Sequence, residues 1–416
     1  MTEPKTSQLH LGQPKRVTTI DTDTHPDTAI EMMIDDIPEP WRTRYYKNRA
    51  NDIENTRLFY APPTAARMDA LVTGKRPGED KQLYAEQVLQ ESSTDYAFLI
   101  PLSRSKWWDP EWESARCTAT NSYIAGDWLG TANNAHGRYR AGIRVSPGDP
   151  ERAIAEINKW VGHPYFSQVQ FAPETLVHPV GHPLYRPVLR EAARHGLPVA
   201  MHITRESSMQ SMTPVGYNAY HIEVMGSWSH YFVNHLASLI FDGVFAELPD
   251  LKVVFVEGGF TWAAPAIWRF DKYWKALGAE IPEVKRRPSE YVQDQLRITT
   301  QPLEEPKDPR DLIRLIEAAN LQNVLMFSSD YPHWDYDDPR HVAMRMPAEW
   351  RDLVMYKNAQ ELYGLPETRP IDELDLSADP MTRYRHQQMK DRLDNGGRLV
   401  SAVTKARSEH DFVGAD

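Results

Sequence analysis

The feature of the sequence that most restricts the fold is a series of eight short apolar segments, most of them followed by a helical pattern. The segments are rich in β-branched and aromatic residues and cover residues 17–23, 96–102, 138–146, 166–172, 197–203, 252–257, 296–300 and 323–329. Continuous apolar runs of this length are typical of strands that are buried on both faces of a parallel sheet. Eight such units predict an α/β protein with a (β/α)8 TIM barrel. A doubly wound open sheet is the alternative, although no glycine-rich phosphate turn follows the first strand.

The chain is predicted to have three parts. Residues 1–16 are polar and form an N-terminal arm, residues 17–366 form the barrel, and residues 367–416 form a charged C-terminal arm. We expect the C-terminal arm to lie in subunit contacts rather than to carry chemistry. A long polar and aromatic insertion over residues 204–234 follows the fifth strand, and the next helix is predicted over residues 235–248.

Composition and charge exclude several classes of protein. The 416 residues include 47 Lys and Arg against 58 Asp and Glu, and this acidic balance argues against a nucleic-acid-binding protein. No apolar run approaches the roughly 18 residues that span a membrane, and we expect no secretory signal in the polar start. The single cysteine, Cys117, permits neither an internal disulfide nor a cysteine-based zinc site. We expect Cys117 to be buried and inert, and we expect a cytoplasmic protein.

Polar residues follow the predicted strands, at the end of the barrel where TIM-barrel enzymes carry their active sites. The first strand ends with Asp21, Asp23 and His25 at alternate positions. Because side chains two residues apart in a strand point to the same side, all three are expected to face the barrel interior. Burying two carboxylates beside an imidazole is costly unless a cation neutralises them.

Three further strands also end in residues that bind metals. His202 follows the fifth strand, Glu257 the sixth and Asp330 the eighth. Each of them alone is more often a hydrogen-bonded structural histidine or a turn residue than a ligand. Together with Asp23 and His25, however, His202 and Asp330 form a set of two imidazoles and two carboxylates that suits zinc, iron or manganese. The sequence therefore predicts a divalent metal site.

The same residues lie in motifs that resemble the amidohydrolase superfamily. The matching segments are IDTDTH (20–25), GHPLYRPVLREAARHGLPVAMHI (181–203), ELPDLKVVFVEGGFTWAAPAIWRFD (247–271) and NVLMFSSDYPHWD (323–335). The resemblance covers residues 17–366 and is to the amidohydrolase-related branch, which includes aminocarboxymuconate semialdehyde decarboxylase and the 2,6-dihydroxybenzoate and 5-carboxyvanillate decarboxylases. It implies metal-dependent hydrolysis or non-oxidative decarboxylation of a small carboxylated or amide-type substrate, with a divalent metal as cofactor.

The resemblance assigns roles to these positions. Metal ligands are implied at Asp23, His25, His202 and Asp330, and Asp330 is also the base of the hydrolases in the family. The metal is expected to be zinc, with iron or manganese as alternatives that the carboxylate of Asp23 favours. Two departures concern the reaction. The fourth strand, QVQFAP, lacks the lysine that bridges two metals in some hydrolases, and Glu257 replaces the histidine that serves the decarboxylases as general acid.

Other candidate residues lie in the loops. Arg205 is expected to hold a substrate carboxylate, and Trp107, Trp108 and Trp112 are expected to form an aromatic pocket, a lid or a subunit contact. His333 follows Asp330 by three residues and is expected to orient the substrate, to join a second metal or to form a hydrogen bond within its own turn. His221 and Glu257 together would supply a second metal site.

A second metal would point to a different enzyme. It would resemble the hydroxylases of this fold that use two non-haem metals and dioxygen, of the α-aminoisobutyrate hydroxylase type, or a partner subunit of such an enzyme. A non-catalytic chain that assists a related catalytic chain is the third hypothesis. We expect a homo-oligomer, or a hetero-oligomer with a related chain, that acts on a small molecule and binds neither nucleic acid nor membrane.

Overall fold

A computed structural model of the chain describes residues 18–28, 32–48, 66–102, 109–173, 176–203 and 221–366. The predicted arms, at 1–16 and 367–416, lie outside these residues, so the predicted division of the chain stays a prediction.

Eight parallel strands form one sheet in which every strand pairs with the next in chain order. They are β1 (Thr19–Thr24), β2 (Thr94–Leu99), β3 (Tyr139–Arg144), β4 (Phe166–Phe171), β5 (Val199–His202), β6 (Val253–Val256), β7 (Leu296–Thr299) and β8 (Leu325–Met326). The sheet closes because the Thr22 N–H donates to the Phe327 carbonyl at 3.1 Å and the Asp330 N–H donates to the Asp23 carbonyl at 3.0 Å. The predicted (β/α)8 TIM barrel is confirmed.

Helices surround the barrel and connect its strands. They are α1 (Trp41–Asn48), α2 (Lys81–Tyr84), α3 (Pro110–Tyr123), α4 (Thr131–Asn134), α5 (Pro150–Trp160), α6 (Arg186–Arg194), α7 (His221–Phe241), α8 (Val244–Glu247), α9 (Ala263–Leu277), α10 (Pro288–Gln295), α11 (Pro309–Ala318), α12 (Pro339–Arg345), α13 (Ala348–Asp352) and α14 (Asn358–Tyr363). Short π-helical segments continue three of them, at Ala85–Glu91, Ile124–Trp128 and Leu353–Lys357, and 3-10 turns lie at Ile34–Asp36, Met68–Ala70, Gly278–Glu280 and Leu321–Asn323.

The start of α11 shows how local sequence sets these elements. Asp308 caps the helix, because its carboxylate accepts a hydrogen bond from the Arg310 N–H at 3.0 Å, and Pro309 takes the first helical position, where no N–H is needed. Leu312 and Ile316, one turn apart, are buried against the barrel. Each such side chain adds about 1.5–3 kcal/mol of hydrophobic stabilisation.

The strands divide their side chains between two apolar regions. Ala141 and Ile143 of β3 pack outward against the helices, whereas Ile20, Phe98 and Val254 fill the barrel interior. This two-sided burial explains the uninterrupted apolar runs of the sequence.

The segment after β5 differs from its prediction. Residues 204–220 lie outside the described part of the chain, but α7 begins at His221 and continues to Phe241, so the second half of the predicted insertion is helical. Trp228, Phe232 and Leu236 of this helix are buried, and packing against the barrel stabilises a segment whose sequence does not look helical. Within the described ranges, no helix is both long enough and apolar enough to cross a membrane.

Candidate metal centre

The carboxyl end of β1 places Asp23 and His25 at the mouth of the barrel, where both are buried. Asp21 does not join them, and the prediction that all three residues share one face is wrong. The pairing of β1 with β2 shifts register between Asp21 and Thr24, which interrupts the alternation of side chains. The Asp21 carboxylate instead accepts hydrogen bonds from the backbone N–H groups of Ser329, at 2.9 Å, and Asp23, at 3.2 Å. Burial raises the pKa of Asp21 to about 7.

Four side chains from three strands meet around Asp23. One oxygen of Asp23 lies 3.2 Å from His25 Nε2 and 3.3 Å from His202 Nε2, and Glu257 Oε2 lies 3.0 Å from the same His202 nitrogen. Ligand atoms of all four residues lie within 4.8 Å of one another, and all four side chains are buried.

A second group, centred on Asp330, shares His25 with the first. Asp330 Oδ1 lies 2.7 Å from His25 Nε2 and 2.5 Å from His333 Nδ1, and the Gln301 amide donates to Asp330 Oδ2 at 3.3 Å. The rings of His25 and His333 stack with centroids 4.5 Å apart. The strand ends thus bring Asp23, His25, His202 and Asp330 to one place, with Glu257 and His333 beside them.

The contacts of His25 direct its Nε2 atom towards two carboxylates. Nδ1 lies 2.8 Å from the Ile100 carbonyl, which can only accept, so Nδ1 carries the proton. Burial lowers the pKa of His25 to about 4, although Asp23 opposes this shift, so the ring is neutral and Nε2 presents a lone pair. That lone pair faces the carboxylates of Asp23 and Asp330 at 3.2 and 2.7 Å. Three electron-rich atoms this close repel one another unless a cation lies among them.

The hydrogen-bond inventory agrees with a cation. Neither oxygen of Asp23 and neither ring nitrogen of His202 has a hydrogen-bond partner among the described residues, although both side chains are buried. Orphaned atoms of this kind are rare because desolvation costs about 1–3 kcal/mol for each. Burial alone would lower the pKa of His202, but Asp23 and Glu257 outweigh it and raise that pKa. A mixed nitrogen and oxygen donor set of two imidazoles with two or three carboxylates suits a divalent ion.

Two of these carboxylates, Glu257 and Asp330, lie on residues with an unusual backbone conformation. Glu257 and Asp330, which follow β6 and β8, have φ angles of 63° and 61°, in the left-handed region. The Glu257 N–H donates to Thr299 Oγ1 at 3.1 Å, which fixes the turn. Burial raises the pKa of the Glu257 carboxyl above its usual range, and the neighbouring His202 opposes that rise.

Three predicted site residues cannot be located in the described part of the chain. Trp107 and Arg205 lie outside the described residues, as does the side chain of His221 at the start of α7. Trp112 is not at the centre: it is buried in α3 and stacks on Tyr45 with ring centroids 6.2 Å apart. Cys117 is buried, and burial raises the pKa of its thiol well above the usual value, which disfavours the reactive thiolate.

Two residues of the centre did not emerge from the sequence. Gln301 and Thr299 lie at the end of β7, both fully buried, and bond to Asp330 and to the backbone of Glu257. Their position at the carboxyl end of a predicted strand is the sequence feature from which they could have been predicted.

Comparisons with known proteins agree with this architecture. A family model described as "Amidohydrolase" matches residues 20–365. No curated protein matches the sequence. An amidohydrolase from Mycobacterium avium subsp. paratuberculosis K-10 is similar in structure, with a TM-score of 0.65 and 19% identity over 85% of this chain and 100% of that chain.

Two decarboxylases also share the fold. The 5-carboxyvanillate decarboxylase of Sphingomonas paucimobilis matches with a TM-score of 0.59 and 17% identity, over 84% of this chain and 100% of its own. The 5-carboxyvanillate decarboxylase of Novosphingobium aromaticivorans DSM 12444, complexed with manganese and 4-hydroxy-3-methoxy-5-nitrobenzoic acid, matches with a TM-score of 0.57 and 19% identity, over 84% of this chain and 96% of its own.

Proposed function

Because this chain belongs to the amidohydrolase family, we propose that it is a metal-dependent decarboxylase of carboxylated aromatic compounds. Family membership confirms the family predicted from the motifs. The observation that carries the metal dependence is the position of His25 Nε2, which lies 3.2 Å from the carboxylate of Asp23 and 2.7 Å from that of Asp330. The choice of decarboxylation is supported by the two 5-carboxyvanillate decarboxylases that share the fold.

We assign the metal ligands as Asp23, His25, His202 and Asp330, whose ligand atoms meet at the barrel mouth. When bound, a divalent cation supplies a Lewis acid that fixes the oxygens of the substrate and draws electron density away from its ring. Manganese is supported by the Novosphingobium structure, and zinc stays a prediction.

Glu257 is the proton donor in this proposal. Its carboxyl group is buried and has a raised pKa, so it holds a proton more readily than an ordinary glutamate. When the bond between the ring and the carboxylate breaks, carbon dioxide leaves and the ring carbon takes the proton from Glu257. A water molecule then returns a proton to Glu257. His333, which is 18% exposed and hydrogen-bonded to Asp330, lies at the entrance and orients the substrate.

The test uses protein reconstituted with manganese or with zinc. Release of carbon dioxide is measured with 5-carboxyvanillate and 2,6-dihydroxybenzoate as trial substrates, before and after the substitution Glu257→Gln. The variant keeps the volume of the side chain but not its acidic proton, so turnover should fall by about 10²–10⁴-fold while the metal content stays constant. Carbon dioxide release at the wild-type rate from the Glu257→Gln variant would refute the assignment of the proton donor.

Hydrolysis is the second candidate, because Asp330 is arranged as a base. It is hydrogen-bonded to His333 and lies 2.7 Å from the Nε2 atom of His25, and a buried carboxylate in this place suits removal of a proton from water. Cleavage of an amide or lactone without release of carbon dioxide would favour it. The Arg205 substrate contact, the Trp107 pocket, the His221 ligand, the oligomeric state and the cytoplasmic location stay predictions.

A further inference from the structure

The turn that carries Glu257 depends on its neighbours for a fixed shape. Glu257 has a φ angle of 63°, and it is followed by Gly258 and by Gly259, which also has a φ angle of 63°. Glycine loses more backbone freedom on folding than any other residue, so two in succession make a turn costly to order. The hydrogen bond to Thr299 described above fixes the first residue of the turn, and the two glycines need further contacts.

Two neighbouring elements lie directly against these glycines. A Cβ atom added at Gly258 would lie 2.1 Å from Cε2 of Phe232, which is buried in α7. A Cβ atom added at Gly259 would lie 2.6 Å from Oε1 of Glu304, in the loop after β7. Both distances are shorter than a real Cβ contact, so both neighbours occupy space that glycine leaves open. The turn is therefore held between α7 and the loop after β7.

The carboxylate of Glu304 also accepts hydrogen bonds from the residues that follow the glycines. Its Oε2 accepts from the N–H groups of Phe260 and Thr261, at 3.2 Å each, and its Oε1 accepts from the Thr261 hydroxyl at 2.7 Å. Hydrogen bonds to an ionised acceptor are stronger than those between neutral groups. Glu304 thus fixes the far end of the turn, as Thr299 fixes its start.

The loop after β7 is bonded to the loop after β8 as well. The Gln301 amide donates to Asp330 Oδ2 at 3.3 Å, and the Leu303 N–H donates to Asp337 Oδ2 at 2.7 Å. Glu304, one residue further along, bonds to the turn after β6. The loop after β7 therefore joins the turn of the proposed proton donor to that of a proposed metal ligand.

We propose that Glu304 is a positioning residue for Glu257, an inference that rests on the proposed function. It holds the turn so that the Glu257 carboxyl group stays 3.0 Å from His202 and within reach of the substrate carbon. Proton transfer requires the donor within hydrogen-bond reach of its target, and a misplacement of about 1 Å can lower a rate by about 10²-fold. Loss of the Glu304 carboxylate therefore lowers kcat through Glu257.

The first experiment compares variants of the manganese-reconstituted protein in the carbon dioxide assay. Glu304→Leu removes both acceptor oxygens and should lower kcat by about 10–100-fold, while KM and metal content stay close to those of the wild type. Glu304→Gln keeps one acceptor oxygen and should lower kcat by only about 2–10-fold, the value of one hydrogen bond. Glu305→Leu is the matched control, because this glutamate is 51% exposed and bonds to His341 and Arg345 of α12. It should keep the wild-type kcat.

A double-mutant cycle separates positioning from a general loss of structure. The Glu257→Gln variant has no acidic proton left to position, so adding Glu304→Leu to it should change kcat by less than about twofold. A defect elsewhere in the protein would lower kcat by the same factor in both backgrounds. An equal factor in the two backgrounds, or a wild-type kcat for Glu304→Leu, would overturn the proposal.

Hydrogen exchange followed by mass spectrometry tests the same role without a substrate. The N–H groups of Phe260 and Thr261 lose their acceptor in Glu304→Leu, and they should exchange at least about tenfold faster there than in the wild type or in Glu305→Leu. Unchanged exchange would contradict the hold of Glu304 on the turn. If exchange follows this pattern and the wild type releases no carbon dioxide from any trial substrate, the proposed reaction fails while that hold stands.

Discussion

His235 is a buried imidazole that anchors the loop between β4 and α6. It lies in α7 with no exposed surface, and its Nδ1 accepts a hydrogen bond at 3.1 Å from the N–H of Val180, in the loop between β4 and α6. The Gly181 N–H donates to Ser238 of the same helix at 2.9 Å. Burial lowers the pKa of His235 from 6.5 to about 4, so the folded protein keeps this ring neutral. Protonation of His235, which is not a proposed metal ligand, should therefore destabilise the folded protein in acid.

The direction of the pH dependence of stability follows from the pKa values of His235 in the folded and unfolded protein. The unfolded chain binds the proton near pH 6.5, and the folded chain binds it only near pH 4. Between these values the unfolded state holds more protons, so the free energy of unfolding falls as the pH falls. The contribution of His235 to the free energy of unfolding is complete above pH 6.5 and is lost as the pH drops to 4. The difference corresponds to about 3 kcal/mol, at 1.36 kcal/mol for each pKa unit.

The assay is urea unfolding followed by tryptophan fluorescence, in chelator, at several pH values from 7.5 to 4. The substitution His235→Asn keeps an acceptor for the Val180 N–H but removes the titration. Between pH 7 and 4 the wild type should lose about 3 kcal/mol more than this variant. His230→Asn, at an exposed histidine of the same helix, should follow the wild type. Equal pH dependence in the wild type and His235→Asn would refute the reasoning.

Three further predictions concern the metal centre. Asp23→Asn should remove most of the bound metal without unfolding the protein, as measured by elemental analysis and circular dichroism; an unchanged metal content would exclude Asp23 as a ligand. Removal of metal by a chelator should lower the melting temperature, and manganese at 100 times its dissociation constant should restore about 2.7 kcal/mol of folding stability. A melting temperature that does not change with metal would contradict the proposed metal site. Gln301→Leu should lower kcat with little change in metal content, because Gln301 positions Asp330; an unchanged kcat would show that this hydrogen bond has no such role.

The barrel was predictable because its signals are local and strong. Apolar β-branched runs mark buried strands, and the Asp308–Pro309 pair marks a helix start that the structure confirms. The first half of α7 carried no such signal. Gly226 and the serines at 227 and 229 have poor helix propensity, and the aromatic residues among them suggested a loop. Packing of Trp228 and Phe232 against the barrel outweighs that propensity, and this contact joins residues too far apart for a local pattern to show.

The site was partly predictable for the same reason. All strands of a parallel barrel end on one side, so Asp23, His25, His202 and Asp330 could be placed together from strand order alone. The exclusion of Asp21 could not, because it depends on a register shift between β1 and β2. The role of Gln301 also depends on geometry, since its amide reaches Asp330 across two strand ends.

The backbone at the centre gives a physical reason why its carboxylates are functional rather than structural. Glu257 and Asp330 are two of the four described non-glycine residues with positive φ, a conformation that costs about 1–3 kcal/mol at each position. Glycine would adopt it with less strain, and burying a carboxylate there adds a desolvation cost. The surrounding structure holds both residues in place, through Thr299 Oγ1 for Glu257 and the Asp23 carbonyl for Asp330. Both strained positions place a buried carboxyl group against an imidazole, Glu257 at 3.0 Å from His202 and Asp330 at 2.7 Å from His25, and a divalent cation held at this mouth of the barrel accounts for that arrangement.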